Sequence, residues 1–331
     1  MPTKFGEFNA TGFVPLDDSP GAQIVGFVDA ILRGIGQVML QNNSFTGLLF
    51  LAGVFYNSFL FGLAMLLGTG VSTLSAMLLG VERAQIRAGL FGFNGALVAI
   101  ALFYFLEPGV LTAGYVMLAA ACSSVMMAGL TSFFSKWRVP ALTAPFVLTT
   151  LVFILAHARF GRLNSTGALP TAGLPKLAGA VEGVVGQATV IEGVLNGVAQ
   201  VFFQANPVTG ALFLVGLGVA SRPAAVAALF GSLAGLLVAW GLGAAEPAIR
   251  SGAFGFNSVL TAIAIAGVFF VIEKASLSYA LLAGVVCAVV FAAVSAALEP
   301  LGMPAMTAPF VLTTWLFILA GPLFMRLRPV G

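Results

Sequence analysis

The sequence predicts an all-α polytopic membrane protein made of two homologous halves, and three observations lead to this fold class. First, 60% of the 331 residues are hydrophobic and only 8% are charged, whereas soluble domains carry about 25% charged residues. Second, long uncharged segments recur along the chain, and about 20 apolar residues suffice for one membrane-spanning helix. Third, the first half of the sequence is repeated in the second half.

Charged residues bound most of the predicted helices, and the interval between Arg33 and Glu82, which contains no charged residue, is long enough for parts of three helices. In the first half, the uncharged segments are 34–40, 45–67, 71–79, 88–106, 108–135 and 139–158. In the second half, Glu182 and Glu192 are predicted to flank an entry helix, and uncharged segments follow at 193–221, 223–245, 251–272, 275–298 and 300–325. The predicted organisation is a polar, cytoplasmic lead-in (1–20), a first half (21–158), a linker (159–180), a second half (181–325) and a tail (326–331).

The internal repeat is the strongest signal in the sequence. At an offset of 163 residues, Phe91-Gly-Phe-Asn94 recurs as Phe254-Gly-Phe-Asn257. At an offset of 164, the segment 140–156 recurs with 14 of 17 residues identical. Further polar residues match as pairs: Gln37 with Gln200, Gln41 with Gln204, Asn43 with Asn206, and Thr46 with Thr209. Polar groups are costly inside a bilayer, so we expect these pairs to line a path or to cap broken helices, and we favour function over pure architecture for them.

The number of spans predicts how the halves are related. Each half contains about five full spans and one short segment, and an odd number of spans requires the second half to be inverted. The short segments follow the two Phe-Gly-Phe-Asn motifs and contain about a dozen apolar residues. We therefore predict ten transmembrane helices and two re-entrant half-helices, in which Asn94 and Asn257 cap their own helices.

Three residue pairs are candidates for contact with a solute. Phe93 and Phe256 are expected to face each other across a slot that suits a flat molecule, although core packing is the alternative. Thr143 and Thr307 precede a helix-starting Ala-Pro pair, so their hydroxyls either cap a helix or contact solute at the pore centre. Gln37 and Gln200 offer amide donors and acceptors at the two mouths.

The remaining ionisable residues argue against coupled transport and against catalysis. His157 is the only histidine, and Cys122 and Cys287 lie apart in apolar segments without metal-binding spacing. Asp29 and Arg33 are one helical turn apart and are expected to pair. The glutamates lie at segment edges, and no basic run supports nucleic-acid binding. These features favour passive flow of a neutral solute, with no metal or cofactor.

The two repeated motifs and the Gln37 and Gln200 blocks resemble the bacterial branch of the urea transporter family. The resemblance covers roughly residues 29–324. It implies a passive channel for urea and small amide analogues in the bacterial inner membrane, formed as a homotrimer with one pore per protomer. It also implies roles for particular residues: slots of Phe93, Leu97, Phe256 and Leu260, a centre of Thr143 and Thr307, and mouths at Gln37 and Gln200 with Val201 nearby.

Three alternatives are less well supported by the residues. A channel for ammonia, water or glycerol remains open, but His157 cannot form a histidine pair and Asn206-Pro207 is followed by Val rather than Ala. An ion-coupled transporter would require buried charges in the spans. A membrane enzyme would require a nucleophile with its base, or a metal cluster, within the spans.

Overall fold

The computed structural model describes residues 4–5, 8–9, 20–175 and 183–330. Strands β1 (Lys4–Phe5) and β2 (Phe8–Asn9) form a small antiparallel hairpin. The helices are α1 (Pro20–Gln37), α2 (Ser44–Asn57), α3 (Phe59–Leu78), α4 (Arg83–Arg87), α5 (Phe93–Phe105), α6 (Val110–Phe134), α7 (Ala144–His157), α8 (Gln187–Ala199), α9 (Pro207–Ala220), α10 (Arg222–Gly241), α11 (Glu246–Arg250), α12 (Phe256–Ile263), α13 (Lys274–Leu298) and α14 (Ala308–Ala320). The rest of the predicted lead-in, the end of the predicted linker and Glu182 lie outside the described residues.

Four helices are long and apolar enough to cross a membrane: α3, α6, α10 and α13. α8 and α9 together form a fifth candidate that is bent by 72°. A 20-residue helix such as α3 is about 30 Å long, which matches the hydrocarbon core of a bilayer. The predicted class, a helical multi-pass membrane protein, is confirmed.

The helices α1–α7 and α8–α14 follow the same order, and the two series contact each other reciprocally. The hydroxyl of Thr46 donates to the carbonyl of Gly216 at 2.7 Å, and that of Thr209 donates to the carbonyl of Gly53 at 3.0 Å. Between them, the rings of Phe50 and Phe213 lie 5.1 Å apart. Thr46 is the repeat partner of Thr209, and Gly53 is that of Gly216. α2 and α9 therefore pack in opposite directions about a local two-fold axis.

One predicted helix boundary is wrong. The sequence indicated a break after residue 67, but α3 continues through Gly68, and the break lies at Ser58, whose side chain caps α3 by accepting from Phe61 N–H. A Cβ at Gly68 would lie 2.2 Å from the carbonyl oxygen of Gly95. This glycine permits close packing of α3 on α5 and does not interrupt the helix.

The entry helix of the second half also differs from the prediction. Glu192 lies inside α8 rather than beside it, and its carboxylate pairs with Arg250 at 3.2 Å. The predicted pair in α1 is confirmed, since Arg33 Nε lies 2.7 Å from Asp29 Oδ2.

The change in repeat offset from 163 to 164 has a structural origin. α12 ends in a π-helical turn, Ala264–Val268, in which Gly267 leaves the helical conformation. Beyond this turn the equivalences shift by one residue: Leu106 forms a bridge with Ser165, and Phe270 forms a bridge with Pro329. The second half therefore accommodates one inserted residue as a π-bulge at the end of α12.

Several of the matched polar pairs satisfy backbone groups at helix breaks, which is one of the two roles that the sequence predicted for such pairs. Asn43 and Asn206 cap α2 and α9 by accepting from backbone N–H groups. Gln41 and Gln204 donate to the carbonyls of Met39 and Phe202 at 3.0 and 2.6 Å. These side chains satisfy backbone groups at helix breaks, where neither the helix nor water supplies a partner.

Two glycines of α9 provide a test of this packing. In Gly210→Ala, the new Cβ would lie 2.0 Å from the carbonyl oxygen of Leu195. We expect this overpacking to destabilise the protein by about 1–3 kcal/mol or more. Gly218 has no atom within 4 Å of a built Cβ, so Gly218→Ala is expected to be neutral or stabilising by up to about 1 kcal/mol. Thermal unfolding in detergent measures both, and equal midpoints would contradict the packing described here.

Candidate functional site

The candidate site is built around a hydrogen bond between Thr143 and Thr307, which are equivalent residues of the repeat. The hydroxyl oxygens of Thr143 and Thr307 lie 2.7 Å apart. Both side chains are only 2% exposed, and each immediately precedes a helix, α7 or α14. The structure thus brings together the two residues that the sequence predicted for the pore centre.

These threonines do not cap their helices. An asparagine from a different helix, α5 or α12, accepts the hydrogen bond from the backbone N–H group that an N-cap side chain would otherwise satisfy. Asn94 Oδ1 accepts from Phe146 N–H at 3.1 Å, and Asn257 Oδ1 accepts from Phe310 N–H, also at 3.1 Å. The prediction that Asn94 and Asn257 cap their own helices is therefore wrong, because each caps the start of another helix.

The same asparagines hold the turn before each threonine. Asn94 Nδ2 lies 3.5 Å from the carbonyl oxygen of Leu142, and Asn257 Nδ2 lies 3.1 Å from that of Met306. Leu142 and Met306 have φ angles of 52° and 47°, in the left-handed region that L-residues rarely occupy. Such a conformation costs about 1–3 kcal/mol, so it requires the surrounding contacts to maintain it.

One face of the threonine pair opens into a cavity of about 730 Å³. Its lining includes Thr307, Met306, Glu299 and six residues of the linker, which are Ala168, Pro170, Thr171, Ala172, Gly173 and Pro175. Seven of its 24 lining residues are aromatic: Tyr104, Phe105, Phe146, Phe203, Phe254, Phe256 and Phe291. This volume lies within the range of small-molecule pockets.

The predicted site residues divide into two groups in the structure. Gln200, Val201, Phe256 and Thr307 all line this cavity. The others are not among its lining residues: Thr143 bonds to Thr307, Gln37 donates to the carbonyl of Ala88 at 2.9 Å, Phe93 begins α5, and Leu97 and Leu260 are fully buried in the main core. The ring of Phe256 neighbours that of Phe291, with centroids 5.8 Å apart, and a slot between Phe93 and Phe256 stays a prediction.

The search for repeated residues overlooked Phe203. This residue lines the cavity and lies 5.6 Å from Tyr104 and 6.3 Å from Phe146 by ring centroids. Its partner in the repeat is Leu40, and both residues have positive φ angles, of 59° and 62°. Matching of identical residues between the halves selects only the positions that the halves share. Phe203 stands at a position where they differ, because its equivalent is leucine.

The fold and the site define a multi-pass membrane protein whose two halves meet at a polar centre beside an aromatic cavity. Among the described residues, no three His, Cys, Asp or Glu side chains are grouped so as to hold a metal ion. This architecture is that of a membrane transport protein for a small solute.

Comparison with known proteins agrees with this class. The urea transporter family model matches residues 28–322. The chain is 33% identical to urea transporter 1 of Rattus norvegicus over 308 residues, which is 92% of this chain and 79% of the relative. Urea transporter 1 of Ovis aries is 32% identical and that of Mus musculus 31%, with the same coverage. The chain belongs to the urea transporter family and is a transporter rather than an enzyme.

The asparagine contacts lead to a stability prediction. Asn257→Ala removes the partners of Phe310 N–H and of the Met306 carbonyl, both of which are buried. We expect a loss of about 2–4 kcal/mol, since each unpaired buried group costs about 1–3 kcal/mol. Asn164→Ala is the control because Asn164 is exposed, and its effect should stay within about 0.5 kcal/mol. An unchanged unfolding midpoint for Asn257→Ala would contradict this role.

Proposed function

We propose that this protein is a passive channel that lets urea cross the membrane down its gradient, through a pore at the interface of the two halves. The observation that carries the proposal is the Thr143–Thr307 hydroxyl pair at 2.7 Å. Two hydroxyls from equivalent positions offer both donors and acceptors, which is what the carbonyl and NH groups of urea require. The family membership of the chain supports urea as the solute.

The path that we propose uses residues of both halves. Urea enters the aromatic cavity, where flat rings suit a planar molecule and Gln200 can bond its amide groups. It then separates the two threonine hydroxyls and bonds to each in turn. The proposed site residues are Gln37, Phe93, Leu97, Thr143, Gln200, Val201, Phe256, Leu260 and Thr307, to which we add Phe203.

The charge distribution supports passive rather than coupled transport. A coupled transporter needs ionisable groups within the membrane that change their charge or their partner. Among the described residues that line the cavity, Glu299 is the one charged residue, and it is only half-buried. The buried pair of Asp29 and Arg33 is satisfied locally, because Arg33 also donates to Asn42 at 2.9 Å. Neither partner lines the cavity.

We also propose that the halves form an inverted repeat with ten transmembrane helices and two re-entrant half-helices. The antiparallel packing of α2 against α9 supports the inversion. The short lengths of α5 and α12 support the half-helices. The proposed halves are residues 21–158 and 181–325, each followed by a segment that pairs with its own half-helix.

The location and assembly that we propose rest on the resemblance of the repeated motifs to bacterial urea transporters. They are the bacterial inner membrane and a homotrimer in which each protomer has its own pore. Small urea analogues are expected as further substrates.

The test is urea flux through purified protein in liposomes, followed by light scattering, with glycerol as the control solute. Thr307→Val preserves the volume but removes one hydroxyl, so we expect urea flux to fall about tenfold, the equivalent of one hydrogen bond of about 1.4 kcal/mol. Thr307→Ser retains the hydroxyl and should retain most of the flux. The function would be refuted if folded wild-type protein conducted urea no faster than empty liposomes. The role of the threonine pair would be refuted if Thr307→Val matched the wild type.

A further inference from the structure

The cavity beside the threonine pair contains a carboxylate that the proposed urea path does not use. Glu299 follows α13 in a short 3-10 helix, Glu299–Leu301, and is one of the residues that line the cavity. Its backbone carbonyl accepts from Gly173 N–H at 3.2 Å, which fixes the linker beside it. Its side chain is half-buried and forms no ion pair with any described residue. No Lys, Arg or His is among the described residues that line this cavity.

The internal repeat shows that the fold does not require this carboxylate. The equivalent of Glu299 in the first half is Ser135, which begins the matching 3-10 helix Ser135–Trp137. Three of the seven aromatic lining positions are also one-sided, because the repeat partners of Phe203, Phe291 and Tyr104 are Leu40, Met127 and Val268, whereas the other four have Phe at the equivalent position. The mouth near Phe203 therefore has three more aromatic rings and one more carboxylate than the equivalent positions of the other half.

Aromatic walls together with a carboxylate that has no cationic partner among the described residues are the features that bind an organic cation. Ring faces attract cations through their quadrupole, and the attraction increases where water is partly excluded. A carboxylate forms strong, two-pronged hydrogen bonds with a guanidinium group. Guanidinium is planar and has nearly the same size and shape as urea, so a cavity that admits urea also admits guanidinium.

The charge of such a ligand would prevent it from following urea through the pore. The next step on the path is the Thr143–Thr307 pair, which is buried and carries no charge. Moving an unpaired cation through a neutral constriction at membrane depth is strongly unfavourable. A guanidinium ion would therefore remain in the cavity and exclude urea.

We propose that this cavity binds planar organic cations of the guanidinium type through Glu299 and the aromatic walls. A cation that is bound there blocks the pore from this mouth. The blocking effect rests on the proposed function, whereas the binding itself does not. The other mouth, with Ser135 and Leu40 at the equivalent positions, does not form such a site.

Two measurements test binding and block separately. Calorimetry of guanidinium chloride at millimolar concentrations with the purified protein in lipid nanodiscs measures binding, with sodium chloride as the salt control. Urea flux into liposomes that contain equal guanidinium chloride on both sides measures block. Glu299→Gln removes the charge, and Glu107→Gln is the matched control because Glu107 is exposed, follows Phe105 near the same mouth and does not line the cavity.

We expect the wild type and Glu107→Gln to bind guanidinium and to be inhibited equally, and Glu299→Gln to require about tenfold more guanidinium for both effects. Urea flux measured without guanidinium serves as the reference for inhibition in each of the three proteins. The site is refuted if the wild type shows no saturable heat, or if Glu299→Gln binds as tightly as the wild type. Absence of urea flux in all three proteins would refute the proposed function, while the calorimetry would still decide the site.

Discussion

The rest of the site depends on one constraint, which is that α7 and α14 begin inside the protein, where their first N–H groups cannot reach water. A helix start normally uses its own N-cap side chain to satisfy these donors. Here Asn94 on α5 and Asn257 on α12 supply the acceptors instead. The hydroxyls of Thr143 and Thr307 are therefore available to form a hydrogen bond with each other. The same asparagine amides hold the left-handed residues Leu142 and Met306. One interaction, made twice, therefore caps two helices, maintains two strained turns and brings the threonines together.

The two series of helices share their order, but several residues that line the cavity differ from their repeat partners. Reciprocal hydrogen bonds join α2 and α9. Side chains have diverged at other equivalent positions, as Leu40 and Phe203 show. The π-bulge at Ala264–Val268 is a further difference between the halves, because it accommodates one additional residue at the end of α12. A duplicated scaffold can thus keep one centre while its two mouths acquire different chemistry.

Much of this architecture could be predicted from local patterns. The shortness of α5 and α12, the Asp29–Arg33 pair and the pairing of Thr143 with Thr307 follow from segment length, helical spacing and the repeat. The break at Ser58 could not be located in this way, because a glycine such as Gly68 looks the same whether it ends a helix or admits a neighbouring backbone. Polar pairs were ambiguous for a similar reason. Gln41 and Thr143 are both polar, buried and repeated, and only their hydrogen-bond partners distinguish them. Gln41 bonds to a backbone carbonyl, whereas Thr143 bonds to its equivalent residue in the other half.

The sequence by itself determined the membrane class, the duplication, the family and the short list of polar pairs, since composition, periodicity and repeated motifs are properties of the chain alone. The tertiary structure decided which of these pairs satisfy backbone groups and which face each other across the halves. It also revealed that Phe203, Tyr104 and Glu299 share one cavity with Thr307, although they come from distant segments. The physical reason is that hydrogen-bond partners and cavity walls are set by contacts between remote elements, and no local pattern encodes those contacts.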